Sequence, residues 1–311
     1  MAKQITNNIL MIRPVAFRMN EQTAVNNYYQ QVLEGLDAKQ IQTNALKEFD
    51  EYVEKLKAIG VDVIVIGDMV EPSTPDSIFP NNWVSFHESG RVGLYPMFAE
   101  NRRLERRQDV LDSLVEQGFK IDEIIDLTKY EQEGKNLEGT GSLILDRENK
   151  LAYAALSERT NQEVLDVFSE KFGYKQVVFH SNQTVEGERL PIYHTNVMMC
   201  VADQFAIICL DSIDDKTERA ETVAALTNSG KEVIDITEDQ VNRFAGNMLQ
   251  VLGADQPYLI MSTAAYTSLR PEQIKRIEHH CPIVHSSLDT IEALGGGSAR
   301  CMMAEVFLPK S

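Results

Sequence analysis

Five times along its 311 residues the chain runs through one order of patterns: two short apolar strands, an amphipathic helix, then another strand. Trp83–Phe86 and Val92–Tyr95 read as strands, Asn101–Gly118 as a helix and Ile121–Leu127 as a strand. Leu143–Leu145 and Leu151–Ala155 repeat the pair, followed by a helix over Asn161–Phe172 and a strand over Gln176–His180. Val197–Val201, Phe205–Leu210, the helix Thr217–Gly230 and Glu232–Ile236 make a third copy. Met248–Leu252, Tyr258–Ser262, the helix Pro271–His280 and Ile283–His285 make a fourth. The fifth joins the two ends: Cys301–Phe307 with Ile9–Arg13, then the helix Asn44–Ile59 and the strand Val61–Ile66. Residue identities do not repeat, so the periodicity is one of patterning. Strands alternating with helices predict an α/β fold. Five ββαβ units around a central axis use every piece, which predicts one domain over residues 1–311.

Composition narrows the partners. Lys and Arg number 30 against 47 Asp and Glu, a formal charge of −17. That surface disfavours nucleic acid and anionic membranes. Cys200, Cys209, Cys281 and Cys301 form no CxxC pair and no cluster of zinc-site spacing. The first residues lack an apolar stretch of signal-peptide length, and no run is long enough to span a membrane. The expectation is a soluble cytoplasmic protein with reduced thiols, binding a small molecule and needing neither metal nor organic cofactor.

Four polar segments stand out. Gly295-Gly296-Gly297-Ser298-Ala299-Arg300 leads into Cys301. Glycines let a backbone approach a ligand closely, and a neighbouring arginine favours a thiolate, so Cys301 is a candidate nucleophile. A small buried thiol fits the same position. Phe79-Pro80-Asn81-Asn82-Trp83 sets amides beside an aromatic wall, suited to a flat polar group, though turn chemistry also explains it. In Asn136-Leu137-Glu138-Gly139-Thr140-Gly141 a carboxylate precedes two glycines at a strand edge, and a surface turn is the alternative. His194 and Asn196 share one face at strand spacing. Thiol, imidazole, carboxylate and amides together are a thiol-nucleophile set.

These segments, in this order and over essentially the whole chain, resemble the guanidino-group-modifying enzymes, the amidinotransferase or pentein superfamily. The resemblance implies a five-bladed ββαβ propeller with pseudo-fivefold symmetry. It places Cys301 as nucleophile, His194 as acid/base and Glu138 as the carboxylate of a Glu-Gly-Gly-Asp segment, read here as Glu-Gly-Thr-Gly with its aspartate missing. It nominates Arg102 and Arg159 to hold the substrate carboxylate, with Arg103, Arg106 and Arg107 near enough to replace Arg102. Asn82, Asn196, Phe79 and Trp83 fall among the substrate-binding positions. Members are often homodimers.

The departures are informative. Arginine deiminases have Phe-Thr-Arg-Asp and His-x-Asp, where this chain has Phe79-Pro80-Asn81-Asn82 and His194-Thr195-Asn196. Those aspartates meet a cationic guanidinium through strong charge-assisted bonds. Buried opposite a neutral ligand they would be costly unpaired charges. Amides suit a neutral ureido group, and an amide can donate to the ureido oxygen. The sequence looks most like the citrulline-utilisation hydrolase branch, which shares Phe-Pro-Asn-Asn-Trp and converts citrulline to ornithine, carbon dioxide and ammonia. A deiminase, dihydrolase or amidinotransferase acting on a guanidinium stays open, as does a non-catalytic pentein that only binds. An active-site lid is expected either at Phe205–Asp215 or around Asn8–Glu21.

Overall fold

The computed structural model of the chain describes residues 3–33 and 35–310. Its strands form five three-stranded sheets and a separate hairpin of Asn182–Val185 with Glu188–Pro191. In each sheet the middle strand runs antiparallel to the strand before it in the unit and parallel to the one after. Val84–Phe86, Arg91–Leu94 and Glu123–Asp126 make the first. Ile144–Asp146, Leu151–Ala155 and Lys175–Phe179 make the second. Met199–Val201, Phe205–Ile208 and Glu232–Asp235 follow, then Leu249–Leu252, Pro257–Ser262 and Ile283–Ser286. In the fifth, Ala304–Glu305 pairs with Asn8–Arg13, whose other edge carries Asp62–Gly67. A parallel pair needs a crossover connection. The helices Gln108–Glu116, Gln162–Phe172, Lys216–Asn228, Pro271–His280 and Ala38–Ala58 provide one in each unit.

The long helix shows how local signals do this. Asp37 accepts from the backbone N–H of Gln40 at 2.8 Å, while the Gln40 side chain accepts from Asp37 N–H at 2.9 Å. That reciprocal cap starts the helix six residues earlier than its apolar pattern alone suggests. Ala45, Phe49, Tyr52, Val53 and Leu56 form its buried stripe. They pack on Asp62–Gly67, Ile283–Ser286 and the helix Asp289–Gly295. Each large side chain so buried contributes about 1.5–3 kcal/mol. Four apolar clusters fill the spaces between sheets and helices. First strands of several units pack on one another: Ile144–Asp146 on Met199–Val201, that strand on Leu249–Leu252, and Ala304–Glu305 on Val84–Phe86.

Three segments depart from the expected pattern. The helix expected over Asn101–Gly118 is broken into Glu100–Arg103 and Gln108–Glu116. Interior partners draw the polar stretch between them out of helical register: Arg102 turns onto Glu105, and Arg106 onto Glu131 and the Tyr95 carbonyl. The strand expected over Cys301–Phe307 keeps a ladder only at Ala304–Glu305, and the start of the one expected over Val197–Val201 is the short helix Thr195–Met198. Neither expected lid position is a lid along its length, since Phe205–Ile208 and Asn8–Arg13 are the central strands of two sheets.

Candidate active site

Just before the inner strand of each unit lies a short segment outside the ladder, and the five segments converge. They are the turn Pro80–Asn82, Glu138 with the helix Gly139–Ser142, His194 with Thr195–Met198, Gly246-Asn247-Met248, and Ser298 to Cys301. Cys301, His194, Asn82, Phe79, Arg102 and Arg159 line a common small cavity. Its volume is about 10 Å³, room for roughly one water molecule. An amino acid enters only if the wall opens.

Cys301 is buried, and its Sγ lies 3.3 Å from Asn196 Nδ2 and 3.2 Å from Asn247 Nδ2. Asn247 is held in one orientation. Its Oδ1 accepts from the backbone N–H of Arg300 at 3.0 Å and of Cys301 at 3.4 Å, so the atom offered to sulfur is the donor. Two amide donors thus converge on one sulfur. Arg300, expected to help the thiol, points elsewhere: it donates to the Met303 carbonyl and to Glu305.

His194 Nε2 lies 2.6 Å from Glu138 Oε2, and both side chains are fully enclosed. Burial drives the His194 pKa down to about 4 against the pull of Glu138, which favours the imidazolium. Burial opposes the Glu138 charge, but Arg159, His194 and Arg102 outweigh it and hold the carboxyl at about 2. The resting pair is therefore a carboxylate and a neutral imidazole, with the ring proton on Nε2 and the lone pair on Nδ1. That Nδ1 stands over Gly141, where a Cβ would come within 2.9 Å of it and would also collide with Asn82 Nδ2. Thr140-Gly141 thus needs its second glycine for close approach. Gly295 and Gly297 do the same job against Phe79, whose ring lies under the glycine run, where a Cβ on either residue would stand 2.7 and 2.9 Å from the ring.

The two nominated arginines are buried but already engaged. Arg102 binds both oxygens of Glu105, at 2.8 and 2.9 Å, and donates to Asn82 Oδ1 at 2.8 Å and to the Phe79 carbonyl at 3.2 Å. Burial works against its charge, yet Glu105 and Asp76 raise its pKa further above the guanidinium range. Arg159 lies 3.6 Å from Glu138, sits over the Tyr193 ring, and donates to the Thr23 carbonyl at 3.0 Å and to Asn26 Oδ1. Arg103, Arg106 and Arg107 do not line the cavity, being paired with Glu131 and Asp109. Glu131 is a structural partner that also accepts from Met97 N–H. Trp83, expected against the ligand, instead packs into an apolar cluster with Leu10, Ile12 and Met97. Asn196 reaches Cys301 Sγ, from a short helix rather than a strand.

Several contributors had no flag in the sequence. Asn247 occupies in its unit the place that Asn82 and His194 occupy in theirs, a positional signal that the repeat made available. Asp76 lines the cavity, burial raises its pKa, and its Oδ1 has no partner among the described residues. A strap over the site comes from Asn20–Asn27. Asn20 and Thr23 donate to Asp76, Asn26 donates to Glu158, and Asn27 reaches the Gly295 carbonyl at 3.3 Å.

Five sheets of this topology carrying a buried cysteine, histidine and glutamate at their converging ends define a class: the amidinotransferase, or pentein, superfamily of guanidino-modifying enzymes. Within it the chain belongs to the family described as N,N-dimethylarginine dimethylhydrolase, eukaryotic, which matches residues 13–308. No curated protein sequence matches it. Among solved structures, the product-bound N-terminal domain of ArgZ, an arginine dihydrolase from the ornithine-ammonia cycle in Cyanobacteria, is similar at a TM-score of 0.71 and 18% identity. That match covers 99% of this chain and all of the other. The whole ArgZ chain matches at 0.72 and 16% identity over 98% of this chain, which spans only 41% of its length. A dimethylarginine dimethylaminohydrolase variant joined to S-methyl-L-thiocitrulline matches at 0.63 and 15% identity, covering 98% of this chain and 100% of that one.

Proposed function

We propose that the chain hydrolyses the ureido group of citrulline, giving ornithine, carbon dioxide and ammonia. Cys301 passes its thiol proton to His194 Nδ1 as Sγ attacks the central carbon, and as the C–S bond forms and one C–N bond breaks His194 Nδ1 hands that proton to the departing nitrogen. His194 Nδ1 then takes a proton from water, whose oxygen displaces sulfur. The carbamate so released decomposes, so one water balances the products. Glu138 holds Nε2–H and stabilises the imidazolium. Asn196 and Asn247 stabilise the thiolate, and the unpartnered oxygen of Asp76 accepts from the substrate ammonium. Arg159 is the remaining cation for the α-carboxylate, once the Thr23 and Asn26 contacts open. The five sheets stand about one axis as propeller blades, supported by the mutual packing of their inner strands.

The observation that carries the citrulline reading is the pair of amides, Asn82 and Asn196, where a guanidinium site calls for carboxylates. The names of the similar structures favour a second reading, hydrolysis of arginine. An end-point assay decides: citrulline and arginine are each incubated with the protein and scored for ornithine and citrulline by mass spectrometry. Ornithine from citrulline with arginine untouched supports the proposal, and consumption of arginine alone overturns it. Cys301→Ser is expected to lower kcat at least a thousandfold with an unchanged circular-dichroism spectrum; substantial turnover would remove the covalent scheme.

A further inference from the structure

Arg102, nominated to hold the substrate carboxylate, stands in the cavity wall with its donors already engaged. It is buried and lines the site, yet its Nε, Nη1 and Nη2 donate to Glu105, to Asn82 and to the Phe79 carbonyl. A guanidinium has donors and no acceptor. The atom of Asn82 that faces it, 2.8 Å away, must therefore be Oδ1, and the orientation of this amide is fixed by chemistry. What remains is Asn82 Nδ2, buried and without a partner among the described residues. It points over Gly141, beside the free Nδ1 of His194. Glu105, gripping Arg102 through both oxygens, keeps the guanidinium from rotating away.

We infer that Arg102 is a positioning residue rather than a substrate grip: through Asn82 it presents a fixed hydrogen-bond donor to the reacting group, and the site thereby selects substrates with an acceptor oxygen on the central carbon. A ureido oxygen accepts from Asn82 Nδ2. A guanidinium offers only N–H groups, and bringing one there leaves two buried donors facing each other, each unsatisfied, a loss of about 1–3 kcal/mol per buried group. An unlocked asparagine would not discriminate, since it could turn its oxygen inward. The selectivity resides in the arginine–asparagine unit, with Glu105 as its anchor. An aspartate at 82 would still accept from Arg102 with one oxygen and would present the other to the ligand, reversing the polarity of the contact.

The inference deepens the citrulline reading and rests on it, so the test separates the two. Turnover by the wild type tests the reaction. Ligand preference in a non-reacting background tests the lock: citrulline and arginine are titrated calorimetrically into Cys301→Ala, alone and combined with Asn82→Asp. The expected result is that Cys301→Ala binds citrulline at least tenfold more tightly than arginine and that adding Asn82→Asp inverts the order. An unchanged ratio, or no binding of either ligand, overturns the lock even where the wild type consumes citrulline. Because a lone Arg102 substitution strands Glu105, the second variant is Arg102→Met with Glu105→Leu in the same background, with thermal unfolding recorded alongside. Freed of its anchor, Asn82 can turn, and the citrulline preference is expected to shrink severalfold. A merely structural role for Arg102 would weaken both ligands equally and leave the ratio where it was.

Discussion

An imidazole buried beside a carboxylate is pulled in two directions, and at His194 burial wins. With a pKa of about 4, the ring stays neutral until the solution is far more acidic than an exposed histidine requires. The acid limb of kcat/KM is therefore expected near pH 4, with the rate level from pH 7 down to about 5. A pH–rate profile checks this, and a limb near 6.5 would mean that the ring is solvated. The same residue leaves a mark on stability. Between the unfolded value of 6.5 and the folded value of about 4, the unfolded chain binds the extra proton. Stability is therefore present in full above pH 6.5 and is lost as pH falls toward 4, by on the order of 3 kcal/mol. Urea unfolding of the wild type and of His194→Asn at pH 7 and 4.5 measures the difference, and the variant is expected to lose this part of the pH dependence.

At the scale of elements, helices were the most legible parts of the chain, because their caps and apolar stripes are local. Asp37→Ala removes the capping box of Ala38–Ala58 and is expected to cost about 1 kcal/mol in a urea titration with kcat unchanged, since this helix faces sheet and helix rather than cavity. Where the sequence reading went astray, long-range partners had overridden local pattern. Nothing adjacent to Arg106 announces that it leaves the helix to meet Glu131. The run Val197-Met198-Met199 reads as strand on apolarity alone, but its first two residues belong to a single helical turn after His194. Cys301, His194, Glu138 and the two selected asparagines, nominated from their settings and the family resemblance, lie together in the structure. Trp83 was drawn into the site by its neighbours, and only three dimensions put its ring in the core. The strap Asn20–Asn27 has no periodicity to read, as its residues are fixed by Asp76, Glu158 and the glycine carbonyls, all distant in sequence.

Across the molecule, charged side chains tie the inner strands together. Glu305 accepts from Arg300 at 2.6 Å and from Arg147 at 3.5 Å, while Gln4 bridges the carbonyls of Leu145 and Val201. Burial opposes the Glu305 charge, but the two arginines hold its pKa below the usual carboxylate range. Glu305→Leu strands both cations and is expected to destabilise by about 3–5 kcal/mol, with Glu305→Gln costing less; chemical denaturation of the two variants checks the order. The same strand also governs when a working enzyme first exists. Cys301 lies three residues before the two-residue ladder that fastens Ala304–Glu305 to Ile9 and Leu10, and every other group around the cavity precedes it in the order of synthesis. A growing chain can finish four sheets and still carry no thiol beside His194. In the proposed mechanism the thiol arrives with this sheet, so reactivity waits until Ala304–Glu305 has paired with Ile9 and Leu10.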